Sequence, residues 1–115
     1  MAAPTIDLGT FQELEQTAGV EFVRELVDTF LAEAPLMLDD LRRALAAHNA
    51  DQFRRAAHSL KSNSYTFGAL TLGAMAKELE LSGLEPVHSA NGQPLDALAL
   101  EYSRVAAALT ELRRA

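Results

Sequence analysis

The chain has 115 residues, enough for one compact domain and short for two. It is 49% hydrophobic and 23% charged and has no cysteine, which excludes disulfide staples, thiolate metal sites and cysteine nucleophiles. A net charge of −6 argues against a general nucleic-acid binder, because phosphate backbones attract basic surfaces.

No apolar run approaches the roughly 18 to 20 residues needed to span a bilayer, and the N-terminus MAAPTIDLG lacks a charged-then-apolar signal pattern. A cytoplasmic location without membrane contact is expected, and the initiating Met and length favour a free-standing protein. Alanine and leucine dominate while β-branched residues are few, which favours helices over a sheet.

Met1 to Gly9 carry Pro4 and no sustained period, and an extended segment is expected there. Asp7 or Thr10 can cap a short first helix with Phe11 and Leu14 facing inward, ended by Gly19. From Val20 to about His48, Val23, Val27, Phe30, Ala34, Leu38, Leu41 and Leu45 step by three and four, an apolar face of about 40 Å. Pro35 should kink this helix or split it near Ala34. Phe22, Leu26, Leu31, Leu36 and Met37 lie off that stripe. They either pack on neighbouring elements or leave an apolar docking patch.

Asn49-Ala50-Asp51 is a connection short enough to make its flanking helices antiparallel neighbours, and either polar residue can cap the next helix. That helix runs to Phe67, where Gly68 allows a sharp turn, with Phe53, Ala56, Ala57, Leu60 and Phe67 as its buried stripe. A further helix from about Ala69 to Ser82 presents Leu72, Met75, Ala76 and Leu79. Gly83 to Pro94 reads as the one long loop, with His88 solvated in it. The last helix, Leu95 to Arg114, carries Leu95, Leu98, Tyr102, Val105, Leu109 and Leu112 inward.

His58 is the feature that reads as chemistry. It lies roughly 140° round its helix from Phe53, on the solvent side, flanked by Arg54, Lys61, Ser62 and Tyr65. Arg54, Arg55 and Lys61 make a local basic patch in an acidic chain. His48, His58 and His88 lack H-x-x-x-H spacing, and no carboxylate lies three or four residues from His58, so a metal site is not expected. Ser59 is adjacent to His58 and points away from it, against a triad. Gly68 and Gly73 do not build a phosphate loop, and no ATP-binding pattern is present. A neutral imidazole is a good nucleophile near neutral pH and can carry a phosphoryl group, a reaction that needs in-line positioning and nearby positive charge. Lys61, one turn on, is placed to supply that charge. Ser62, four residues on, is small enough to leave room for a second protein.

The run His58-Ser59-Leu60-Lys61-Ser62, followed by Gly68-Ala69, Leu72 and Leu79-Glu80, resembles the signature of histidine-containing phosphotransfer (HPt) domains. That pattern is His-x-Leu-Lys-Gly, then Gly-Ala or Gly-Leu, then Leu-Glu near the end of the next helix; Ser62 stands where the family has glycine. The expected fold is all-α: an antiparallel four-helix bundle with a short additional N-terminal helix, residues 1–115 forming one domain. The resemblance implies that His58 takes a phosphoryl group from an aspartate on one receiver domain and passes it to another, as an intermediate of a two-component phosphorelay. The chain would be a phosphocarrier without ATP-dependent kinase activity of its own. Its partners would be receiver domains of response regulators or of a hybrid sensor kinase, and it would act as a monomer. It would need no cofactor itself, Mg²⁺ coming with the receiver. Tyr65, Arg54 and Arg55 are candidate partner contacts, although the two arginines equally suit a role in solvating the helix. The rival readings are a bundle that only sequesters a receiver, without transfer, and a bundle that binds a ligand or metal.

Overall fold

Six helices succeed one another with short connections in the computed structural model, which describes residues 5–114. They are α1 Leu8–Ala18, α2 Val20–Ala46, α3 Ala50–Thr66, α4 Leu70–Ser82, α5 Leu84–Ser89 and α6 Gln93–Arg114. There is no strand among the described residues. The long helices α2, α3, α4 and α6 form the expected antiparallel four-helix bundle, and α1 packs across α2 and α3 as the additional N-terminal helix. Val27, Leu41, Phe53, Leu60, Leu72, Leu98, Val105 and Leu109 meet in the core, each on the inward stripe read from the periodicity. No helix of the described residues is long and apolar enough to cross a membrane.

The helix ends follow the local chemistry. The Asp7 carboxylate accepts from the Thr10 amide and caps α1. Leu8 and Gly9 already belong to α1, while residues 1–4 of the stretch expected to be extended lie outside the described residues. Asn49 Oδ1 accepts from the Gln52 amide at 3.1 Å and caps α3. At the end of α3 the amides of Gly68 and Ala69 return to the carbonyls of Tyr65 and Ser64, with Gly68 at φ +82. A Cβ on Gly68 would lie 2.8 Å from the Asp7 carbonyl oxygen and 3.0 Å from Thr10 Cβ, so this glycine also lets the N-terminal segment dock on the α3–α4 corner. The Asp7 amide donates to the Gly68 carbonyl at 2.8 Å in the same contact.

One open alternative is decided and one expectation is corrected. Pro35 does not split α2, which runs unbroken from Val20 to Ala46. Proline lacks the N–H that would bond the Leu31 carbonyl, and the Tyr102 hydroxyl of α6 donates to that oxygen at 3.4 Å instead. The stretch 83–94 is not a long loop, because α5 forms within it and buries Leu84 and Val87. Six residues are too few for a periodicity to show in sequence, and Pro86 falls in the first turn, where no amide donor is needed. His88 is exposed but not isolated: its ring lies edge-on to that of His48 at 5.1 Å, and His48 Nε2 bonds Glu85 at 2.6 Å. Of the apolar residues off the α2 stripe, Leu26, Leu31 and Met37 pack against the core, while Phe22 and Leu36 remain exposed.

Candidate functional site

α3 buries Phe53, Ala57 and Leu60 against its neighbours and turns the opposite face outward. His58 stands on that face with 58% of its side chain exposed. Its Nδ1 is bonded to Glu80 Oε2 at 2.6 Å, and the other oxygen of the same carboxylate accepts from Lys61 Nζ at 2.7 Å. Glu80 comes from α4, which runs antiparallel to α3 and brings position 80 back beside positions 58 and 61. The Lys61 hydrogen bond is the main reason the Glu80 carboxyl is held below its usual value of 4.5, with the bond from His58 and the charges of both partners adding and partial desolvation opposing.

An ionised carboxylate only accepts hydrogen bonds, so the nitrogen facing Glu80 carries the proton. In the neutral ring the lone pair is then on Nε2, which has no partner among the described residues. Glu80 thus sets the tautomer and fixes the ring plane.

The other candidate residues share this face. Ser62 is exposed one turn from His58. Arg54 and Arg55 both reach Asp51, at 3.1 and 2.6 Å. Tyr65 is half-buried, its ring against Gly73 of α4. Lys61 departs from its expected solvent placement: it turns toward α4 and keeps only 23% of its side chain exposed, because Glu80 draws it in. The basic patch is likewise weaker than the sequence implies, three cations facing the two carboxylates of Asp51 and Glu80. Asp51, Arg54, Arg55, His58, Ser59 and Glu80 line an open polar depression of about 450 Å³. A larger apolar hollow of about 570 Å³ between α4 and α6, lined by Leu70, Met75 and Leu98, contains no imidazole or cation and offers no comparable chemistry.

Glu80 is the residue whose role sequence reasoning missed. It stands in the Leu79-Glu80 pair of the motif, but its contact with His58 spans 22 residues and exists only once α4 packs on α3. Among the described residues no group of three His, Cys, Asp or Glu side chains is arranged to hold a metal ion.

A family model for the Hpt domain matches residues 25–115. The crystal structure of histidine-containing phosphotransfer protein B from Pseudomonas aeruginosa PAO1 superposes on the chain with a TM-score of 0.86 at 29% identity, covering 98% of this chain and 97% of that one. A comparison with curated proteins returned no match. Fold and sequence model agree on a phosphotransfer module of two-component systems. The chain belongs to the Hpt domain family, and its function is histidine phosphotransfer in a phosphorelay, in which Hpt domains work with receiver domains. The structural likeness includes α1, which precedes the part matched by the family model.

Proposed function

We propose that His58 carries the phosphoryl group, accepting it at Nε2 from the aspartyl phosphate of one receiver domain and delivering it to the aspartate of another. The observation behind this reading is the Nδ1 bond to Glu80, which leaves Nε2 as an unpaired nucleophile on an exposed face. The Nε2 lone pair attacks phosphorus in line with the bond to the aspartate oxygen. An N–P bond forms as that P–O bond breaks, and aspartate leaves as a carboxylate. No proton need move, because Nδ1–H stays bonded to Glu80, whose negative charge faces the phosphorylated imidazolium. Delivery to the second receiver is the same step reversed.

Lys61 supplies positive charge near the phosphoryl oxygens, within reach but held back by Glu80. Ser62 leaves clearance for the partner, and Arg54, Arg55 and Tyr65 lie where a receiver closing on His58 would meet them. Mg²⁺ in this reading is held by the acidic pocket of the receiver.

The test is incubation with a phosphorylated receiver and Mg²⁺, followed by intact-mass and acid-lability analysis of the wild type and His58→Gln. An acid-labile adduct on the wild type alone is the expected result. An adduct that survives in His58→Gln, or none on a folded wild type with several receivers, overturns the assignment.

A further inference from the structure

Gly73 is the fourth residue of α4, at the end of its first turn, where glycine is a poorer helix former than alanine. Its surroundings give the reason for its presence. A Cβ there would lie 2.7 Å from Cε1, 2.8 Å from Cδ1 and 2.9 Å from Cζ of Tyr65. Carbon atoms in contact stay about 3.5–4 Å apart, so any larger residue at 73 displaces the ring. The missing side chain is the space in which the aromatic ring lies against α4.

Tyr65 follows His58 by seven residues, which puts it within about 20° of the same helix face and about 10 Å further along. Its hydroxyl has no hydrogen-bond partner among the described residues. A specific protein contact covers about 800 Å² per partner, so a patch of that size centred on His58 reaches roughly 16 Å. Tyr65 falls inside it. The exposed residues that share this stretch of α3, Asp51, Arg54, Arg55, Ser59, Ser62 and Thr66, are all polar. Beside the His58 imidazole, Tyr65 is the aromatic side chain of this stretch of α3 that is not buried, and tyrosine is among the residue types that carry most of the energy of protein contacts.

We propose that Tyr65 and Gly73 form a specificity-determining pair of the phosphotransfer surface. Gly73 is a positioning residue that leaves the ring room to lie against α4. The ring is an anchor for a receiver that presents an apolar hollow, with a hydrogen-bond acceptor at its edge, about 10 Å from its phosphorylated aspartate. The proposal rests on the reading of His58 as the carrier.

The test is single-turnover transfer from a phosphorylated receiver, measured against receiver concentration, for the wild type, Gly73→Ala, Tyr65→Ala and the double variant. The ring is the free end of a flexible side chain, so Gly73→Ala moves it without breaking the helix, which circular dichroism checks. The half-saturating receiver concentration rises about tenfold in each single variant and no further in the double one, while the maximal rate changes by less than about twofold. An unchanged half-saturating concentration in Tyr65→Ala overturns the anchor. Losses that multiply in the double variant overturn the positioning role of Gly73. If Gly73→Ala does not fold, the Tyr65→Ala arm decides. Failure of the wild type to form any adduct removes the His58 reading and this proposal together, an outcome separate from an adduct that forms but is insensitive to Tyr65.

Discussion

The carboxylate of Glu80 holds His58 by Nδ1 and Lys61 by Nζ at once, at 2.6 and 2.7 Å, and so links the nucleophile to its neighbouring cation through a different helix. Removing the bridge should disturb both. Glu80→Ala is expected to slow transfer about ten- to hundredfold, the usual weight of a hydrogen bond between charged groups. Single-turnover kinetics measure the loss. Nitrogen-15 spectra of the imidazole should show the proton on Nδ1 in the wild type and a mixture of tautomers in the variant. An unchanged rate with an unchanged tautomer would remove Glu80 from the mechanism.

The same carboxylate makes stability depend on pH. Its folded pKa is lowered, chiefly by the Lys61 bond, so the folded state keeps the charge below pH 4.5 after the unfolded chain has begun to protonate. The contribution is complete above the unfolded value and is lost as pH falls through the folded one. The difference in Tm between wild type and Glu80→Gln should accordingly shrink progressively once the pH drops below 4.5. A difference that does not vary across that range would show that the pair adds nothing to folding.

The Tyr102 hydroxyl takes over the Leu31 carbonyl that Pro35 leaves without a helical donor. Tyr102→Phe should cost about 1 kcal/mol, read from chemical denaturation. In a Pro35→Ala background the helix regains its own donor, and the same change should cost less. Equal losses in the two backgrounds would mean that the hydroxyl does not replace the missing bond.

Gly68→Ala places a Cβ 2.8 Å from the backbone oxygen of Asp7 in a left-handed conformation. Backbone cannot yield as a side-chain tip can, and the conformation alone costs a residue other than glycine about 1–2 kcal/mol. A loss of at least that size is expected, together with faster proteolysis within α1 as its docking on the α3–α4 corner loosens. Wild-type proteolysis in a destabilised variant would place the strain elsewhere.

Much of this molecule is determined by local sequence. Inward stripes such as Val23, Val27 and Phe30 or Leu95, Leu98 and Val105 dictate which faces are buried, because helical period and side-chain chemistry are properties of neighbouring residues. The Asn49 cap, the Gly68 turn and the outward placement of His58 are local in the same sense, and with the motif they suffice to name the family. What only the tertiary structure decided lies between helices. Glu80 beside His58, the inward turn of Lys61, Tyr65 resting on Gly73 and Tyr102 bonding Leu31 each join positions that no periodicity relates. Short α5 belongs with them, since two apolar residues acquire a helix only when the bundle offers them a surface to bury against. The physical reason is common to all of these cases: an interhelical contact depends on the register of two packed surfaces, and that register is set by the whole core.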